Sequence, residues 1–270
     1  TLNSNLKLIN DITKYITNNK GKRLRPIILI LIAKACKYKG NNHIISAAII
    51  ELIHIATLLH DDVIDESLIR RGHLTINNKW NTKSAILVGD FLYSRAFQMM
   101  VKIKNINILK IISNSTNTLS EGEILQLIQK KNIKINEKDY LKIIHYKTAT
   151  LFQAAANIGA LLNNETNHIA KNIAKYGFHL GIVYQLIDDI LDYLSKKETY
   201  GKHDGNDLKE GKITLPLIYI LKNGETKEKE YIIKNIKEKT NLTEIKKIII
   251  KSKAIEYTMA MAKRHAHEAK

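Results

Sequence analysis

Glu51-Leu52-Ile53-His54-Ile55-Ala56-Thr57-Leu58-Leu59-His60-Asp61-Asp62-Val63-Ile64-Asp65 is an apolar stretch that ends in three carboxylates. Its apolar residues recur at the three- and four-residue intervals of a helix. At about 100° per residue, Asp61 and Asp65 share one face and Asp62 flanks it. The pattern returns as Asp188-Asp189-Ile190-Leu191-Asp192, again inside an apolar helical stretch. Carboxylates this close repel one another, and a packed helix gains nothing from them alone. Hard divalent cations relieve the repulsion. Mg2+ takes one or two protein carboxylates and completes its octahedron with water and phosphate oxygens. Either triplet alone reads as a solvated helix face; the repetition, with one spacing and one apolar setting, favours metal. Two such faces opposed across a cavity would clamp a polyphosphate.

Outward from these segments the helical period continues almost without a break. It predicts helices at 3–19, 26–38, 43–66, 82–103, 105–130, 137–162, 166–196, 213–223, 227–238 and 243–266. Only 2 Pro and 12 Gly punctuate 270 residues, and no segment alternates with period two between turn signals, so essentially no sheet is expected. Pro26 suits the first residue of its helix, where its missing N–H is not needed, and Thr214-Leu215-Pro216 can open another in the same way. Polar connections lie at 18–23, at Arg70-Arg71-Gly72-His73, and at 199–212 with Gly201, Gly205 and Gly211. No low-complexity linker divides the chain. One all-α domain over residues 1–270 is expected, burying roughly three-quarters of its unfolded surface.

The formal net charge is +17. Such a balance raises nucleic acid, membrane surfaces and anionic substrates as partners. The excess is mostly Lys, dispersed among Ile and Asn in the manner of an AT-rich coding sequence. There is no Arg-rich arm interleaved with aromatics, so no nucleic-acid partner is expected. The one cysteine, Cys36, excludes an intrachain disulfide and suits a reducing compartment; its apolar surroundings read as a buried thiol. The apolar run Ile27 to Ala33 is far short of a membrane span. No signal peptide is read, and a soluble cytoplasmic protein is expected, with at most a transient membrane contact.

Basic residues gather around both acidic motifs. Lys22, Arg23 and Arg25 stand at a helix start, where free N–H groups and the helix dipole favour an anion. Arg70 and Arg71 follow Asp65 closely, and the planar guanidinium fork bonds phosphate bidentately. Lys147-Thr148, Lys202 and Lys212 are further candidates. Acids for metal and cations for phosphate in one chain imply a metal-bridged diphosphate.

At this point the sequence resembles a known family. Gly21-Lys22-Arg23-Leu24-Arg25-Pro26, His54 with Leu58 to Asp65, Arg70-Arg71-Gly72, Lys147-Thr148, Tyr184 to Asp192, and Gly211-Lys212-Ile213-Thr214-Leu215-Pro216 are similar, in order and spacing, to the motifs of trans-prenyl diphosphate synthases. Gly89 to Met100 and Glu121-Gly122-Glu123-Ile124-Leu125-Gln126-Leu127 look most like the bacterial octaprenyl-forming members.

The resemblance implies a helical isoprenoid-synthase bundle around a deep central cavity, and a homodimer. It implies that isopentenyl diphosphate is condensed head-to-tail with an allylic diphosphate, giving a medium or long trans-polyprenyl diphosphate, octaprenyl by the branch it resembles, for quinone side chains. Asp61, Asp62, Asp65, Asp188, Asp189 and Asp192 fall to Mg2+, about three ions per active site. Arg70, Lys147 and Lys202 add charge to the allylic diphosphate, so that its C–O bond ionises. Thr148 and Gln185 offer oxygens to the resulting cation. Lys22, Arg25, His54 and Arg71 match the isopentenyl diphosphate site, which places the double bond by proximity. His60, and the terminal His265 and His267, read as structural or solvated.

Product length is expected to follow the room below the first motif. Ala56 and Thr57 are small where short-chain relatives carry an aromatic, so growth continues. Two departures from the family pattern stand out: its glycine run before Lys22 is reduced to Asn19-Lys20-Gly21, and its Gly-Asp-Asp-Leu reads Gly205-Asn206-Asp207-Leu208. Alternatives are a farnesyl or geranylgeranyl synthase and a class I terpene cyclase. A cyclase pairs one DDxxD with an Asn/Ser/Glu motif, whereas this chain repeats the aspartates. A non-catalytic regulatory subunit tends to lose them.

Overall fold

The computed structural model describes residues 3–19, 21–130, 132–163, 167–194, 206–238 and 240–270. In chain order the helices are α1 (Lys7–Asn18), α2 (Leu24–Ala35), α3 (Asn42–Ile64), α4 (Ile76–Lys79), α5 (Thr82–Ile103), α6 (Ile106–Gln129), α7 (Glu137–Ile144), α8 (Thr150–Leu161), α9 (Asn167–Leu194), α10 (Asn206–Glu210), α11 (Leu215–Asn223), α12 (Thr226–Glu238), α13 (Leu242–Lys251) and α14 (Ala254–Glu268). A two-stranded ladder, β1 (Ile69–Arg70) with β2 (His73–Leu74), stands between α3 and α4. The chain divides into two compact units, residues 1–113 with 154–171, and residues 114–153 with 172–270.

In the first unit α3 packs against α2, α4 and α5. Its apolar positions Ile49, Ile50, Ile53 and Ala56 are wholly inaccessible, and on the facing helix α5 Ala85, Val88, Leu92 and Ala96 are buried as well. By length and composition α3 could cross a membrane, a property the Ile27–Ala33 run did not suggest, yet nearly half of that window is buried in the protein. Asn81 Oδ1 caps α5 by accepting the Ser84 N–H at 2.8 Å. Met99 and Met100 of α5 are core residues. The β1–β2 turn is made by Arg71 and Gly72, both at positive φ (52° and 77°), as a tight two-residue hairpin requires. Sequence reading placed only a loop here.

The second unit is built on Ile143, Ile182, Leu186, Tyr193, Leu217 and Ile232, among others, with α11 against α14. Several expectations need correction. The helix expected over 137–162 is interrupted at His145–Ala149 by a π-helical turn. The helix expected over 243–266 breaks at Ser252, whose backbone is extended and whose hydroxyl accepts the Ala254 N–H at 3.2 Å. α4 and α10 are too short to carry a period, and neither was predicted. Pro26 is the third residue of α2 rather than the first, still among the four N–H positions with no intrahelical partner. Cys36 is only partly buried. His265 is not simply solvated: its Nδ1 lies 3.0 Å from His179 Nδ1.

Candidate active site

The first unit draws several cations to one place. His54, on α3, lies among Arg25 of α2 and Arg70 and Arg71 of the hairpin. Burial, then the charges of Arg25, Arg71 and Arg70, holds its imidazole well below the usual histidine range. Neutral His54 can therefore accept at Nε2 from Arg25 Nη1, 3.1 Å away. Glu51, one turn before His54, is pushed upward by burial while Arg25, Arg23 and Arg71 oppose the rise. Arg71 lies against Gly21: a Cβ there would collide with its guanidinium, so the one glycine left before Lys22 makes room for the side chain. Lys22 itself is exposed.

The first acidic motif divides by face. His54, Thr57, Asp61 and Asp65 follow one line along α3 and are each partly exposed, whereas Ala56, Leu59 and Asp62 lie buried beside it. Asp62 is 4% exposed and its Oδ1 accepts from Arg70 Nε at 2.7 Å. Burial raises its carboxyl above the usual range, Arg70 opposes this, and Asp61 and Asp65 add to it. Arg70, expected to grip phosphate, is thus already engaged with a carboxylate. His60 packs on α5, 3.2 Å from the Ile86 carbonyl and stacked on Tyr93, in keeping with a structural role.

The second unit carries a hydrogen-bonded chain. Thr148 Oγ1 donates to Gln185 Oε1 at 2.7 Å, Gln185 Nε2 donates to Asp189 Oδ1 at 2.7 Å, and Tyr140 OH donates to Asp189 Oδ2 at 2.5 Å. Both oxygens of Asp189 therefore have donors, and at 2% exposure burial still pushes its carboxyl up to about 7. Asp188 is partly exposed on the next turn of the Gln185 face. Asp192 is buried and accepts from the Asp207 N–H at 3.3 Å. The Asp207 carboxyl is pushed well up by burial and by Asp192 and Asp189, so the one acid kept in Gly205-Asn206-Asp207-Leu208 stands beside the second motif. Lys147 Nζ pairs with Glu123 Oε2 at 2.6 Å and also donates to Gln126 Oε1. Lys202 lies outside the described residues.

Asp61 offers a direct test of metal fit. Its Oδ1 is buried with no hydrogen-bond donor among the described residues, which fits an oxygen that ligates a cation. Among the described residues no three His, Cys, Asp or Glu side chains form a ready cage. Sequence reading missed Tyr140, Glu123, Gln126 and Asp207 as functional neighbours. Glu123 and Gln126 lie in one motif segment of the sequence and Asp207 in another, whereas nothing local marks Tyr140.

Comparison with known proteins places the chain in one family. The family model described as Polyprenyl synthetase matches residues 6–252. The chain is 42% identical to octaprenyl diphosphate synthase of Escherichia coli (strain K12), over 99% of its own length and 84% of that protein. It is 40% identical to the geranyl-diphosphate-specific all-trans-nonaprenyl-diphosphate synthase of Rhodobacter capsulatus, over 95% and 79%. A polyprenyl synthase from Caulobacter crescentus CB15, solved in complex with calcium and isoprenyl diphosphate, superposes with a TM-score of 0.95 at 35% identity, covering 99% of this chain and 83% of that one. The all-α fold is that of the helical isoprenoid synthases, and the chain belongs to the polyprenyl synthetase family as a trans-prenyltransferase.

Proposed function

We propose that this enzyme is Mg2+-dependent and elongates an allylic diphosphate with isopentenyl diphosphate to a medium or long polyprenyl diphosphate, with octaprenyl the expected length. The observation that carries the reading is the sorting of side chains by face. Asp61 presents a buried oxygen without a donor among the described residues, while Arg25, His54 and Arg71 form a cation cluster around an imidazole held neutral. Support for metal and diphosphate comes from the Caulobacter relative, solved with calcium and isoprenyl diphosphate. Support for the chain length comes from the octaprenyl and nonaprenyl relatives.

Asp61 and Asp65, with Asp188, are the carboxylates we assign to direct metal contact. Asp62, Asp189 and Asp192 are assigned to holding the two motifs in place. A divalent metal bound there supplies the positive charge that makes diphosphate a leaving group. Arg70, Lys147 and Lys202 add to that charge on the allylic substrate. Thr148 and Gln185 turn their oxygens toward the carbon that becomes electron-poor, and donation from Gln185 Nε2 to Asp189 fixes which end of the amide faces Thr148. Lys22, Arg25, His54 and Arg71 hold isopentenyl diphosphate. The released diphosphate takes the final proton.

The proposal extends to a homodimer: Leu87, Phe97 and Val101 stand exposed along one face of α5, and a row of large apolar side chains of this kind suits a partner helix. Sedimentation of the chain and of a Leu87→Lys, Val101→Lys variant tests this, with a dimer expected for the first and a monomer for the second. The activity is tested by mass analysis of the product from farnesyl and isopentenyl diphosphates with Mg2+. A polyprenyl diphosphate near C40 is expected. C20 alone would indicate a short-chain synthase, C15 alone no elongation at all, and a cyclised hydrocarbon a terpene cyclase.

A further inference from the structure

Lys147 and Thr148 stand on a π-helical turn, His145–Ala149. Such a turn holds an extra residue relative to the α-helix on either side of it, and these bulges are rare and concentrate at functional sites. Two kinds of contact hold this one. The His145 carbonyl accepts both the Thr150 N–H and, at 3.0 Å, the Thr150 hydroxyl. Two other helices also approach so closely that no side chain fits between. A Cβ on Gly122 of α6 would lie 2.8 Å from Tyr146 Cβ and 3.1 Å from the Lys147 backbone nitrogen. One on Gly181 of α9 would lie 2.5 Å from Ala149 Cα. These neighbours are backbone or the first atoms of side chains, which cannot swing aside, so a methyl at either position must move the turn.

Each glycine also sits next to a residue that grips the turn. Glu123 follows Gly122 and pairs with Lys147; Gln185 stands one helical turn after Gly181 and accepts from Thr148. We propose that Gly122 and Gly181 are positioning residues, which clamp the turn in its π register so that Lys147 and Thr148 reach two different helices at once. In an α register the helix before the turn rotates by about 100° relative to the helix after it. Lys147 then cannot keep Glu123 while Thr148 keeps Gln185. The inference rests on the assignment of Lys147 and Thr148 to the allylic substrate.

The test uses Gly122→Ala and Gly181→Ala in the full chain. Each is expected to lower kcat by roughly ten- to a hundredfold, the scale of a misplacement of about 1 Å, while the KM for isopentenyl diphosphate stays within about twofold. Amide hydrogen exchange is expected to accelerate over residues 145–150 and to stay unchanged in α12 and α13. In a Lys147→Ala background, Gly122→Ala is expected to add less than about a twofold loss, because it acts through the same side chain. Fully additive losses would overturn the clamp. If Lys147→Ala is impaired while both glycine variants keep normal kcat and normal exchange, the clamp is wrong and the site assignment stands. If Lys147→Ala is fully active, the site assignment fails and the clamp loses its purpose with it. Should Gly181→Ala not fold, Gly122→Ala decides alone through exchange and the double variant.

Discussion

The two acidic motifs share a spelling and solve one electrostatic problem in different ways. In the first, the buried middle carboxylate, Asp62, is met by a charge, Arg70, brought by the hairpin. In the second, the buried middle carboxylate, Asp189, is met by two neutral donors, Tyr140 and Gln185. A cation compensates a buried anion more fully than neutral donors do, and burial accordingly pushes Asp189 up to about 7. Within each triplet the middle carboxylate is buried while Asp61 and Asp188 are partly exposed, and the proposed function gives the buried and the more open carboxylates different work.

The comparison breaks or sharpens at specific positions. The largest effect belongs to the open face. Asp61→Ala and Asp188→Ala are each expected to cut turnover by roughly a thousandfold with an unchanged circular-dichroism spectrum. Asp62→Asn and Asp189→Asn should lose at least about tenfold less than these; equal losses in steady-state assays would erase the distinction between faces.

Next come the neighbours of Asp61. Ala56 is wholly buried whereas Thr57 is partly exposed on the Asp61 face. Thr57→Phe is therefore expected to shorten the product, and Ala56→Phe to destabilise the core by about 1–3 kcal/mol through overpacking. Product analysis beside thermal melts separates the two, and shortening by Ala56→Phe alone would reverse the assignment.

Smaller effects test the partners themselves. Arg70→Ala leaves Asp62 buried and unpaired, and the loss expected by denaturant titration is about 1–3 kcal/mol, less than for a fully buried pair because the Arg70 side chain is 38% exposed. Tyr140→Phe removes one of two neutral donors and is expected to cost about 1–2 kcal/mol. A Tyr140→Phe loss larger than that of Arg70→Ala would contradict the ranking of charge over neutral donors.

Much of this was legible in the sequence, for physical reasons that can be named. The long helices α3, α5, α6 and α9 carry many turns of one apolar period, so their existence and their acidic ends could be read directly. The hairpin could not, because two-residue strands carry no alternation; its signal was only Gly72 after two arginines. The π-turn was invisible: an added residue shifts the apolar stripe by about 100°, but the helix before it, Glu137–Ile144, has too few turns for a shift of phase to show. The cation cluster was anticipated through Arg25, His54 and Arg71. The pairing of Arg70 with Asp62, and of Lys147 with Glu123, was not. Those contacts depend on which face each helix buries, and a periodicity gives that face only to within a residue, as Ala56 and Thr57 illustrate.

The most direct measurement is calorimetric titration of farnesyl diphosphate into the chain and into Asp61→Asn and Asp188→Asn, with and without Mg2+. Metal-dependent binding is expected for the unaltered chain, and each substitution is expected to abolish the metal-dependent part while leaving the melting transition in place. Undiminished Mg2+-dependent binding in either variant would contradict the assignment of the open-face aspartates to metal.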